Sequence, residues 1–170
     1  MKRHVFAIIV VLAAVVWGFG QRRPWPAFAQ FPAAFERARA RKIDFAHSPG
    51  AGTFRTRLNF ALGDGVNFAG HYILTGWGCG TGCIYGAIID TRNGRVYFPE
   101  VLAGMATGYT DNGGYVDEPM GRKKNSRLLI INGVPGSQHE NAPELPQGKY
   151  YYEWANNRLR LLRSVKSNTK

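Results

Sequence analysis

The fold is decided by residues 68–90: Phe68-Ala69-Gly70-His71-Tyr72-Ile73-Leu74-Thr75-Gly76-Trp77-Gly78-Cys79-Gly80-Thr81-Gly82-Cys83-Ile84-Tyr85-Gly86-Ala87-Ile88-Ile89-Asp90. Two runs, Phe68–Trp77 and Cys83–Asp90, are rich in β-branched and aromatic residues and read as strands. Between them the two cysteines flank a three-residue turn, Gly80-Thr81-Gly82. The glycines supply the backbone angles that a tight turn demands. With a side-chain period of two, His71, Ile73, Thr75 and Trp77 share one face of the first strand.

The same grammar continues downstream. Asn93-Gly94 is a strong hairpin signal, and Arg95–Phe98 returns the strand. Leu128–Ile131 is a further strand, and Lys149–Trp154 with Arg158–Leu162 forms a hairpin around Ala155-Asn156-Asn157. Upstream the grammar is helical. Pro32–Lys42 lacks β-branched residues and starts with proline, which suits a first helical turn. Ser48-Pro49 reads as a cap and first turn of a second helix. Phe54, Leu58 and Ala61 form its buried stripe and Gly63 its stop. The expected architecture is α+β, with N-terminal helices packed on an antiparallel sheet of about six short strands.

Residues 100–126 carry glycines, Pro119 and no sustained periodicity, and a loop that long within one domain points to function. Residues 139–146 form a second polar connection. No linker divides residues 30–170, which read as a single domain.

The chain has 170 residues and a formal charge of +11. Its apolar fraction excludes a disordered tail. Lys2 and Arg3 precede an uncharged run from Val5 to Trp17, and Ala27-Phe28-Ala29 fits a small-x-small cleavage pattern. Residues 1–29 therefore read as a signal peptide. The alternative is an uncleaved inner-membrane anchor over residues 5–19, although that run is short for a span. Either reading places the protein in the periplasm or outside the cell. Four basic residues belong to the leader, which leaves 18 basic against 11 acidic residues, or +7, on residues 30–170. That charge favours an anionic envelope component or an envelope protein as partner, and a further alternative is a purely electrostatic binder of anionic envelope polymers or lipid headgroups. Export and the lack of a recognised module argue against nucleic acid.

In an oxidising compartment, Cys79 and Cys83 read as a disulfide across the turn. A ring so small contributes about 2 kcal/mol by chain entropy and chiefly fixes turn geometry. Three sharper readings compete. A redox pair would normally space its cysteines as Cys-x-x-Cys ahead of a helix. A metal site from Cys79, Cys83, His71 and His139 matches no usual spacing. A Cys–His nucleophile would join His71 to Cys79 or Cys83, and this is the enzymatic alternative. Residues Asp111–Glu118 resemble a calcium loop in composition but fail its template. No catalytic signature is present. The expectation is a non-catalytic binding module without metal or cofactor. Trp77, Tyr109, Tyr115 and His71 are its candidate binding residues, and aromatic residues concentrate binding energy.

Five stretches together carry a resemblance. They are Asn67–Tyr72 (NFAGHY), Trp77–Cys83 (WGCGTGC), Ile88-Ile89-Asp90, Gly94–Tyr97 and Tyr150–Trp154 (YYYEW). The pattern resembles a group of small exported bacterial proteins of unknown function, over about residues 30–163. The resemblance implies export and a single domain, and it implies no catalytic residue. Similar proteins often carry extra cysteines before the Tyr-rich strand; this chain has none there.

Overall fold

The computed structural model describes residues 24–107, 118–137 and 144–167. Its eight strands are β1 (Tyr72–Gly80), β2 (Cys83–Asp90), β3 (Val96–Tyr97), β4 (Met105–Thr107), β5 (Met120–Gly121), β6 (Leu128–Val134), β7 (Gly148–Ala155) and β8 (Arg158–Lys166). They form one antiparallel sheet in the order β1-β2-β4-β6-β7-β8, with β3 beside β2 and β5 beside β6. One helix, α1 (Arg55–Leu62), follows a 3-10 turn at Ala51–Phe54. The described part is thus mostly sheet, α+β or mainly β, and is not helix-rich.

Alternation along the strands splits the core in two. One cluster gathers Tyr72 and Leu74 of β1, Ile88 of β2, Met105 of β4, Met120 of β5, Leu129 and Ile131 of β6, and Tyr150, Tyr152 and Trp154 of β7. Residues from both ends of the strand order meet there, and the Tyr72 hydroxyl donates to Asn157 in the β7–β8 turn at 3.2 Å. The sheet is therefore curled, with this cluster on its concave side. The second cluster lies on the opposite face, where α1 delivers Leu58 and Ala61 onto Ile73, Ala87, Ile89 and Val96.

The three hairpins obey their turn residues. Ala155 pairs with Arg158, and Asn156 and Asn157 both have positive φ, 51° and 57°, as a primed two-residue turn requires. Gly80 pairs with Cys83 around Thr81-Gly82. The Asn93-Gly94 hairpin forms with a wider turn, closed by Asp90 N–H donating to Arg95 O at 2.8 Å. At Gly94 φ is +80°, and a Cβ would run into the carbonyl of Lys42.

The expectation of N-terminal helices is corrected at Pro32–Lys42, which is not helical. Its backbone groups are used across the molecule instead. Ala33 N–H donates to Asn125 O, Glu36 N–H to Gly70 O, and Arg39 and Ala40 N–H to Thr91 O, all at 2.7–2.9 Å. These tertiary bonds override a weak local propensity. Residues 24–44 form a strap across the outer face. It is anchored by Ser126, whose hydroxyl lies 2.8 Å from Phe28 O and 3.1 Å from Phe31 O. Residues 24–29, which the leader reading counts as removable, are packed on the body: Trp25 lies against Tyr151 and Arg163.

The expectation of a second helix is met in part: α1 buries Leu58 and Ala61 and ends before Gly63 as expected, but it begins only at Arg55, and Ala51–Phe54 ahead of it is a 3-10 turn. Ser48 does not cap it, however; its buried hydroxyl accepts from Val96 N–H on β3 at 2.9 Å. The expectation of about six strands rises to eight because β4 and β5 lie inside the 100–126 stretch. A 3-10 turn at Glu100–Leu102 also lies there and buries Leu102 completely. Strands of two or three residues are too short to show a period.

Candidate functional site

The hairpin β1–β2 carries a disulfide between Cys79 and Cys83, with Cα atoms 5.2 Å apart. Neither cysteine is free, and the bond fits an oxidising, non-cytoplasmic compartment. No described helix is long and apolar enough to cross a membrane.

Register places the remaining connections around this turn. Cys83 pairs with Ala106, Ala106 and Thr107 pair with Val134 and Gly133, and Gly133 pairs with Gly148. Thr107 N–H donates to Gly82 O at 2.8 Å, on the disulfide turn itself. Residues 108–117, with Tyr109 and Tyr115, lie outside the described residues, but both their stems are fixed. They leave at Thr107 and rejoin at Glu118, whose carbonyl accepts from Asn132 Nδ2 at 2.9 Å. Residues 138–143, including His139, are likewise outside. They follow Ser137, bonded through its hydroxyl to Gly104 O, and precede Leu145, which packs on the concave core. The disulfide turn and the roots of both long connections therefore stand at one end of the sheet.

Trp77 sits two residues below Cys79 on the outer face. It stacks on its cross-strand neighbour Tyr85, ring centroids 5.6 Å apart, and Phe54 covers both at 4.8 and 5.1 Å. Phe98 completes a group of four rings. Trp77 is half-buried, and its exposed edge lines a shallow depression beside Arg55 and Arg57. Tyr85 and Phe98 were not singled out in the sequence, and Phe54 was read only as part of a helix stripe, although Tyr85 shares the strand parity that pairs it with Trp77.

His71 lies at the other end. It precedes β1, eight residues from Cys79, which along a strand is about 26 Å. The fold therefore separates His71 from both cysteines, and they form no catalytic pair. His71 sits between two carboxylates, with Nδ1 3.7 Å from Glu36 on the strap and Nε2 3.9 Å from Asp90 at the end of β2. Asp90 is buried and is held by a two-pronged contact with Arg92, at 3.2 and 3.0 Å. The Tyr72 ring covers the imidazole at 4.1 Å. His71 Nε2 is buried with no hydrogen-bond partner. Burial and the Arg92 charge lower the His71 pKa, and Asp90 and Glu36 only partly oppose them. A neutral imidazole in this setting wedges the strap against the sheet. The spacing of Glu36, Asp90 and Arg92 in the sequence gave no sign of this grouping, because the strap reads locally as a helix.

Beside it, Glu153 of β7 joins Arg160 at 2.6 Å and Arg127 at 3.2 Å. The Arg160 hydrogen bond foremost, then Arg127, lowers its pKa against partial burial. No group of three metal-ligating side chains occurs among the described residues. Comparison with family models, curated proteins and solved structures found no match.

Proposed function

We propose that the protein is an exported, envelope-associated binding module without catalytic activity. Its contact surface is the glycine-rich disulfide turn together with the 100–126 loop. One observation carries this reading: the turn, the roots of residues 108–117 and the roots of residues 138–143 converge on one end of the sheet. Irregular segments displayed from a rigid scaffold are where binding residues concentrate. The reading takes Tyr109 and Tyr115 as aromatic anchors, with Trp77, two residues before Cys79, as a third. His71, at the far end, acts on the strap rather than in this surface.

Export rests on the N-terminal sequence, on the resemblance to small exported bacterial proteins and on the disulfide. The location is periplasmic or secreted, or tethered to the inner membrane if residues 5–19 remain as an anchor. The partner is an envelope protein or an anionic envelope component, in keeping with the +7 on residues 30–170. The test is chemical cross-linking in intact cells, comparing the native chain with a Tyr109→Ala/Tyr115→Ala variant. A discrete adduct lost in the variant at equal protein level supports the reading. An adduct of unchanged yield contradicts it.

A further inference from the structure

A second cleft lies on the outer face of β6, β7 and β8, at the same end of the sheet as the disulfide turn but on strands that do not carry it. Asn132 of β6, Lys149 of β7 and Val165 of β8 are successive cross-strand neighbours. Beside that row runs another, Ile130, Tyr151 and Arg163. Trp25 of the strap lies over Tyr151 at 5.8 Å and over the Arg163 guanidinium at 3.6 Å, with 48% of its surface still exposed. It walls an open cleft of about 620 Å³ that also takes in Gln147 and Lys166. That volume falls within the range of small-ligand sites. Among the described residues, no acidic side chain lines the cleft.

We propose that this cleft binds an acidic oligosaccharide, a chain of uronate-like sugars. The indole of Trp25 and the phenol of Tyr151 offer flat apolar surface for the C–H face of a sugar ring. Lys149 shares the strand parity of Tyr151, and Lys166 closes the end of the cleft opposite Gly148; these two are the cations proposed to pair with ring carboxylates. The amides of Asn132 and Gln147 suit hydroxyl groups, which both donate and accept. The cleft also runs across three paired strands. The β6–β7 and β7–β8 ladders already use the backbone groups beneath its centre, which leaves only the outer edge of β8 to an extended peptide. Recognition falls to side chains, and their charge is of one sign.

The test is calorimetric titration of the 170-residue chain, its retention of Trp25 confirmed by mass, with hexagalacturonate. Cellohexaose and hexaglutamate serve as neutral and peptide comparisons. Hexagalacturonate is expected to bind at least tenfold more tightly than either. A Lys149→Ala/Lys166→Ala variant, changed only at exposed positions, should lose at least tenfold in affinity with an unaltered melting temperature. Trp25→Ala should lose a similar factor. Equal binding of hexaglutamate makes the cleft a general acidic-chain site and overturns the proposal. So does unchanged affinity in the double-lysine variant, or no binding of hexagalacturonate.

Discussion

At His71, burial and charge oppose each other. The half-buried imidazole favours the folded state in its neutral form, and its folded pKa lies below the ordinary value of about 6.5. The unfolded chain therefore takes up the proton first as pH falls. The contribution of this residue is full above about pH 6.5 and is lost as pH drops toward the folded value. Glu36, Asp90, Arg92 and Tyr72 face the ring and set how far the loss extends. His71→Gln should flatten the fall in stability between pH 7 and 5, read from denaturant midpoints across that range. A slope identical to that of the native chain would remove His71 from the account. Glu153 acts further down: its depressed pKa gives stability that is present above the unfolded carboxylate range and lost in acid. Trp77→Ala removes one ring of four from a half-buried group. It should cost about 2 kcal/mol without unfolding the chain. Gly94→Ala combines positive φ with a clash against Lys42 and should cost at least about 1 kcal/mol.

Among the elements, the strap is where sequence and structure part. Strands announce themselves by alternation and hairpins by Asn-Gly and Asn-Asn, so β2 is legible to the residue, Cys83–Asp90, and the β7–β8 turn to its two asparagines. The strap carries Ala, Arg and Glu, good helix formers, yet its bonds run to Gly70, Thr91 and Asn125, far away in the chain. Nothing local signals such partners. The same holds for Ser48, which looks like a helix cap and is taken by Val96. The strap also has an energetic consequence. A chain beginning at Gln30 loses the contacts of Trp25 and Phe28 and should be about 2 kcal/mol less stable than one beginning at Pro24. That lowers Tm by roughly 6 °C, and thermal melts of the two chains check it. The disulfide is a smaller matter than its position. Cys79→Ser/Cys83→Ser should remain folded and lose about 2 kcal/mol, because the closed ring is short and both core clusters stand without it.

For the whole molecule, the two ends of the sheet divide the work. One end, with His71, Asp90, Arg92 and Glu36, locks the strap by charge and burial. The other displays the disulfide turn and the roots of two long connections. The candidate surface was partly legible: the glycine-cysteine turn and the unusual 100–126 stretch both stand out in the sequence. Their convergence was not, since it depends on β4, three residues long, joining β2 to β6. The surplus of positive charge is also resolved in part by structure. Lys123 and Lys124 lie over Phe28 and Phe35 of the strap, so some of it holds the chain to itself. In the proposed function the disulfide end meets a partner. Its most direct test is a photo-crosslinking residue placed at Thr81, with the same residue at exposed Asn59 on α1 as control, irradiated in living cells. A discrete adduct from position 81, absent from position 59, is the expected result. Adducts of equal yield from both positions, or none from position 81 in a folded, exported chain, would contradict the account.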